Sequence, residues 1–162
     1  GNLTDHYDPT DKTLRLSDST FESTSIAAIG VAAHETGHAI QHAKKYGPLN
    51  FRRFLVPIAN IGSEAGPFLA LLGIIMSFPL LIDIGILLFS GAVLFYLVTL
   101  PVEFNASSRA LKILKQNQVL SDEELKGVKK VLSAAAMTYV ASALVAMANL
   151  LRLILISKNK KR

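Results

Sequence analysis

Apolar residues in this chain cluster into three long stretches instead of alternating with polar ones. The stretches are residues 54–78, 79–102 and 131–156. Each is close to the roughly 20 residues that a helix needs to cross a hydrocarbon layer about 30 Å thick. Each also contains polar residues, which suits helices that pack against one another in a membrane. The pattern therefore predicts three transmembrane helices, of which the first two form a hairpin over residues 54–102.

The first part of the chain has shorter patterns. Residues 1–22 predict a small element of strand and turn, in which "KTLRLS" has the alternation of a short strand. Residues 23–46 predict a helix. The Ser/Thr cluster at its start offers an N-cap, and Gly47 followed by Pro48 is a typical stop.

The segments after the hairpin are also predicted to be helical. Residues 103–117 keep the helical spacing of apolar positions. Ser121 and Glu124 form a capping box, which predicts a last helix over residues 121–157 that continues into the third apolar stretch. We therefore expect an all-α membrane protein that forms a single domain over residues 1–162.

Charge and composition narrow the partners and the location. The formal net charge is +5, but Lys and Arg flank the apolar stretches and do not interleave with aromatics, so we expect no nucleic-acid partner. Lys and Arg precede the first apolar stretch and follow the second, which predicts that both ends of the hairpin face the cytoplasm. The basic tail at 158–162 is expected either to contact lipid headgroups or to be a solvated end, and a third crossing would place it on the opposite side of the membrane. Since the chain begins with Gly1 and not Met, we expect it to be a fragment of a longer protein.

The strongest chemical signal is "AAHETGHAIQHA", residues 32–43. On a helix, His34 and His38 lie one turn apart on one face, so both imidazoles can reach a single ion. Glu35 is rotated by about 100° from His34 and can reach a water beside that ion. This is H-E-x-x-H, which indicates zinc ligation with a carboxylate base, and the absence of cysteine leaves only His and carboxylate ligands. The alternative is that the two histidines only satisfy a polar interface.

A catalytic zinc site needs a third protein ligand. His42 extends the same helix face, but the helical rise puts it roughly 12 Å from His34. One straight helix does not easily bring all three histidines to one ion, so a supporting or surface role is expected for His42 and a ligand role is the weaker alternative. Glu103 ends the second apolar stretch, where a carboxylate needs a partner. A divalent cation and Arg109 would both serve, and the residues alone leave the two possibilities open.

Three motifs in order, "DHYDPTDKTLRLS", "AAHETGHAIQHA" and "LPVEFNASSRA", resemble the YugP-like neutral zinc metallopeptidases of bacterial membranes over essentially the whole chain. The last motif is also similar to the Glu-x-x-Ala-Asp signature of HtpX-type peptidases, in which the Glu is the third zinc ligand. The resemblance implies that one Zn²⁺ is held by His34, His38 and Glu103. Ser107 replaces the Asp of that signature, so the support for a zinc-binding histidine is expected from Ser107, Asn105 or Arg109.

The expected function is that of a zinc-dependent endopeptidase of the bacterial plasma membrane, with several membrane crossings and its site near the cytoplasmic face. Glu35 would act as general base on a zinc-activated water, and the substrate would be a peptide or a membrane protein. The "KTLRLS" strand either pairs with an extended substrate or has only a structural role. Four residues are candidates for stabilising the oxyanion: His6, Tyr7, Arg109 and Tyr139.

A second class of function remains open, that of a membrane zinc carrier or sensor. Such a protein would bind zinc through His34, His38, Glu103 and Glu64 without hydrolysis. Glu35 distinguishes the two, because only hydrolysis needs a carboxylate beside the first histidine. Glu64 and Asp83 lie within apolar stretches. A structural hydrogen-bonding role is expected for Glu64 and an interfacial position for Asp83.

Overall fold

The structure is a computed structural model that describes residues 4–160. Over these residues the chain forms one two-stranded sheet and five helices. In chain order they are β1 (His6–Asp8), β2 (Thr13–Arg15), α1 (Asp18–Phe21), α2 (Ile26–Ala43), α3 (Gly47–Ile75), α4 (Pro79–Gln116) and α5 (Asp122–Lys160). Helices α3, α4 and α5 are long and apolar enough to cross a membrane. The predicted class, an all-α membrane protein with a small N-terminal strand element, is confirmed.

The chain divides into two compact units. The first comprises Gly1–Asn50 and Pro101–Thr138, and the second comprises Phe51–Leu100 and Tyr139–Arg162. Helices α4 and α5 therefore each contribute one part to either unit. The residues predicted for the zinc site of a peptidase, His34, Glu35, His38 and Glu103, all belong to the first unit.

Small residues hold the helices of the second unit together. A Cβ added at Gly62 of α3 would lie 2.1 Å from the carbonyl oxygen of Leu88 in α4, and one at Gly85 would lie 2.5 Å from the nitrogen of Ala70. Backbones approach this closely only where a side chain is missing, which is a common way for membrane helices to associate. The buried core of this unit is formed by Phe89, Ala92, Val93 and Ala146.

The first unit surrounds α2. Strands β1 and β2 pair antiparallel, with Tyr7 opposite Leu14. The Ser25 hydroxyl caps α2 by accepting a hydrogen bond from the Ala28 amide at 3.1 Å. The apolar face of α2 packs into a core with the C-terminal part of α4 and the N-terminal part of α5, made of Ala33, Ala110, Leu114, Val128 and Leu132.

Several element boundaries differ from the predicted ones. Helix α2 ends at Ala43, and Gly47 does not terminate it but begins α3. The chain leaves α2 through Lys45, which has a left-handed backbone (φ 53°), and the Tyr46 amide then donates to the Gln41 carbonyl at 2.9 Å. This pairing closes the helix end without glycine.

The predicted helix at 103–117 is the continuation of α4 and not a separate element, because the helix passes through Pro101 without a break. Strand β1 and helix α1 had no separate prediction. The capping box at the start of α5 is confirmed, since Ser121 and Glu124 exchange hydrogen bonds of 2.7 and 3.2 Å.

Candidate metal centre

Two helices of the first unit, α2 and the C-terminal part of α4, bring the candidate ligands together. They approach each other at Gly37, where an added Cβ would lie 2.3 Å from the carbonyl oxygen of Ala106. No side chain larger than hydrogen fits between these backbones. This approach puts the face of α2 that carries His34 and His38 directly against Glu103.

The three side chains form a compact group of possible metal ligands. Glu103 Oε2 lies 2.8 Å from His34 Nε2, and Glu103 Oε1 lies 3.4 Å from His38 Nε2. One ligand atom of each residue lies within 4.8 Å of the others. Two zinc bonds of about 2.0–2.1 Å at a tetrahedral angle separate their ligand atoms by about 3.3 Å. Two imidazoles and a carboxylate are also a known donor set of catalytic zinc, so the residues fit the ion that the motif implies.

The orientation of His38 is determined by Gln41, which is fully buried. The amide nitrogen of Gln41 donates to the Val102 carbonyl at 2.8 Å and to Asn105 Oδ1 at 3.0 Å. Its oxygen therefore faces His38 Nδ1 at 2.9 Å and accepts a hydrogen bond from it. A ring that donates from Nδ1 presents Nε2 to a metal, and such partners fix the tautomer of zinc-binding histidines.

His34 has a different partner. Its Nδ1 lies 2.9 Å from the hydroxyl of Ser107, the residue that replaces Asp in the signature noted above. Ser107 therefore contacts the histidine directly despite its shorter side chain. Asn105 supports the other histidine through Gln41, and the Arg109 guanidinium donates to Asn105 at 2.8 Å while it lies over the Tyr46 ring. Each of the three residues expected to support the ligands thus contacts this hydrogen-bonded group.

Glu35 lies beside the ligand group and is partly buried. Burial raises the pKa of the Glu35 carboxyl, and the imidazoles of His38 and His34 and a hydrogen bond from the Tyr7 backbone only partly oppose this effect. A carboxylate with a raised pKa accepts a proton more readily. Burial also disfavours the charged form of His38, but the Glu103 carboxylate outweighs it and raises the pKa of this imidazole.

The other candidate residues do not join the ligand group. His42 Nδ1 is hydrogen-bonded to the Tyr7 hydroxyl at 2.9 Å, and His6 Nδ1 to the Thr4 carbonyl at 2.7 Å. Glu64 and Tyr139 belong to the second unit, where both are exposed on their helices. The prediction of a ligand role for His42 had been the weaker one, and its side chain instead bridges α2 to β1.

Sequence reasoning did not find Gln41 or Gly37. Gln41 follows His38 by three positions, so helical spacing places it on the face of the histidines. Gly37 lies inside the motif, where a glycine in a helix interior needs a packing reason. Both positions could be recognised in the sequence, but the role of each residue depends on its contact with α4.

The comparisons with known proteins agree with this chemistry. The family described as "putative neutral zinc metallopeptidase" matches residues 1–158. The chain is 52% identical over 159 residues to the Bacillus subtilis (strain 168) protein named "Putative membrane protease YugP", and the match covers 98% of this chain and 71% of that protein. No solved structure matches the chain significantly.

Proposed function

The chain belongs to this family of neutral zinc metallopeptidases, and from that premise we propose that it is a membrane-bound, zinc-dependent endopeptidase. The observation that carries the proposal is the convergence of His34, His38 and Glu103 beside Glu35. A carrier or a sensor would need the three ligands, but it would not need a carboxylate such as Glu35 beside them.

In this proposal His34, His38 and Glu103 hold one Zn²⁺, which supplies Lewis-acid activation of a water molecule and of the peptide carbonyl. The side chains around them keep the two imidazoles in place. Gln41 holds His38 in the tautomer that leaves Nε2 available, and Ser107 holds His34. The bond between Gln41 and His38 lies inside the protein, and the bond between Ser107 and His34 is partly buried.

Glu35 acts as the general base. Its carboxylate takes a proton from the attacking water and later passes this proton to the leaving amine, so that it returns to its starting state after each cycle. The raised pKa of Glu35 supports this role, since burial makes the carboxylate more basic. Positioned general bases contribute about 100-fold to 10,000-fold to a rate.

We place the site on the cytoplasmic side of a bacterial plasma membrane. The argument is the distribution of charge along the chain: Lys44, Lys45, Arg52 and Arg53 precede or begin the apolar part of α3, and Arg109 with Lys112 follows that of α4. Basic residues next to short loops favour the cytoplasm. The substrate class under this proposal is a peptide or a membrane protein, and pairing of the substrate with a strand edge stays a prediction.

The test compares Glu35→Gln with the unchanged protein, purified in detergent as the full chain and loaded with zinc. We expect the variant to bind one equivalent of zinc and to cleave a fluorescently labelled unfolded protein at least about 100 times more slowly. Glu22→Gln changes an exposed carboxylate and is the matched control. Cleavage by Glu35→Gln at the unchanged rate would refute the base role. A zinc-loaded unchanged protein without any cleavage would favour the carrier or sensor.

A further inference from the structure

A second feature of the first unit lies next to the proposed active site. An open cavity of about 510 Å³ is lined by Tyr7, Lys12, His42, Ala43, Lys45 and Asn50. It lies between the turn of the β1–β2 hairpin and the C-terminal end of α2. None of the candidate zinc ligands lines it, so it is a separate cavity.

The cavity is positively charged. Lys12 and Lys45 both line it, and no acidic side chain does. The nearest carboxylates along the chain, Asp8 and Asp11, are both paired with Arg15. Within residues 4–160 neither lysine has an ion pair or a side-chain hydrogen bond. Both local acids are bound to Arg15, so the two lysines that line the cavity are available to attract an anionic group.

The backbone at both lysines is unusual. Lys12 has a φ of 58° and Lys45 a φ of 53°, which is the left-handed region that glycine and asparagine adopt with less strain. Two of the four non-glycine residues with positive φ in the described chain therefore line this one cavity. At Lys45 this conformation closes α2, and at Lys12 it forms the turn between β1 and β2, so the backbone fixes where both side chains leave the chain.

Tyr7 connects the cavity to the proposed catalytic base. Its backbone is near enough to Glu35 to influence the pKa of that carboxyl, while its hydroxyl is hydrogen-bonded to His42 in the cavity wall. His42 follows Glu35 by seven positions on α2, a distance of roughly 10 Å along the helix. An extended peptide covers that distance with about three residues. A peptide cleaved beside Glu35 would therefore reach the cavity with a side chain about three residues from the cleaved bond.

From this arrangement we infer that the cavity is a specificity subsite for an acidic side chain of the substrate, with Lys12 and Lys45 as its recognition residues. The inference rests on the proposed peptidase function, since it assigns the cavity to the same substrate. The Asp or Glu carboxylate of the peptide lies between the two ammonium groups, and the Tyr7–His42 pair forms the wall that faces the active site.

The test uses the zinc-loaded full chain in detergent and a series of internally quenched peptides. Each peptide carries a single Glu, or a Gln in its place, at one position within four residues of the cleaved bond. We expect Glu to raise kcat/KM about fivefold to tenfold over Gln at one position, two to four residues away, and to have no effect at the others. Equal values for Glu and Gln at every position would overturn the inference.

Two variants assign the preference to the lysines. Lys12→Asn and Lys45→Asn remove the charge but keep a residue that tolerates the left-handed backbone. Each should lower the Glu/Gln ratio, and together they should bring it close to one. Lys44→Asn removes the same charge from the neighbouring exposed residue outside the cavity and should leave the ratio unchanged. An equal loss in Lys44→Asn would mean a general charge effect and would overturn the subsite.

A binding measurement separates this inference from the proposed function. In Glu35→Gln, which should bind peptides without cleaving them, the Glu peptide should bind about five times more tightly than the Gln peptide. Equal affinities overturn the subsite whether or not the unchanged protein is a peptidase. If the peptides show the binding preference but the zinc-loaded unchanged protein cleaves neither of them, the proposed function is wrong, and the cavity is a binding site for acidic peptides without hydrolysis. If the two lysines instead mediate binding only to vesicles with anionic phosphatidylglycerol, the cavity recognises lipid and the inference is wrong.

Discussion

Replacing Gln41 by Met tests whether the buried hydrogen bonds around His38 prepare the zinc site. Met has nearly the same length and volume, so the space stays filled while all three hydrogen bonds of the amide are lost. The His38 N–H then has no acceptor in a site where the residue is only 8% exposed. The ring is free to turn or to change its tautomer, and in either state Nε2 is no longer held for the metal.

The expected magnitude follows from these contacts. A buried donor left without a partner costs about 1–3 kcal/mol, and 1.4 kcal/mol corresponds to about a tenfold change in affinity. Loss of such a supporting partner weakens metal binding by about 10-fold to 100-fold in known sites. We therefore expect the zinc Kd of Gln41→Met to rise about 10-fold to 100-fold, measured by competition with a chromophoric chelator at a fixed pH near 7.5.

Two further variants make this result interpretable. Gln116→Met changes an exposed glutamine at the end of α4 and should leave the zinc Kd within twofold. Gln41→Glu keeps one oxygen as the acceptor for His38, so the zinc affinity should be that of the unchanged protein. Its second oxygen replaces the donor that faces Val102 O and Asn105 Oδ1, so the thermal stability should fall. If Gln41→Met is folded by circular dichroism and binds zinc as tightly as the unchanged protein, Gln41 does not position the ligand.

Three more changes have outcomes that the structure specifies. Glu103→Gln should reduce zinc binding at least about 10-fold by chelator competition, because it replaces the candidate third ligand by a neutral group. Gly37→Ala should lower the melting temperature and zinc affinity together, since its Cβ would overlap the backbone of α4. A hydrogen bond from the Thr10 backbone and the Arg15 guanidinium lower the pKa of Asp8. Asp8 therefore stabilises the hairpin above the ordinary aspartate pKa, and this stability is lost as the pH falls through the lowered pKa. In Arg15→Gln the pKa of Asp8 is lowered less, so the loss should occur at a higher pH. Hydrogen exchange of the hairpin amides measures this shift.

Each of these outcomes can be contradicted. If Glu103→Gln binds zinc as tightly as the unchanged protein, Glu103 is not a ligand. Glu123→Gln, on the exposed surface of α5, is the control. If Gly37→Ala is as stable as Gly47→Ala, whose added Cβ meets no neighbouring atom, the helices can separate without cost. An unchanged pH dependence of exchange in Arg15→Gln would exclude the ion pair as its origin.

The local features of this protein could be predicted from its sequence. Three apolar stretches indicated the membrane helices, and a five-residue motif with helical spacing placed His34 and His38 on one face with Glu35 beside them. The capping box of α5 was found from two residues. These features depend on hydropathy, helical period and hydrogen bonds between near neighbours, all of which can be read within one or two turns of chain.

Other features were decided by the tertiary structure. Glu103 lies 69 positions after His34, and residue reasoning alone could not choose between a metal and Arg109 as its partner until a family resemblance suggested the first. The role of Gln41 exists only because Val102 and Asn105 of α4 accept its hydrogen bonds. Gly37 is needed only because a second backbone passes 2.3 Å from where its Cβ would be. Contacts of this kind depend on which helices pack together and on the distance between them. Neither can be read from the local periodicity of the sequence.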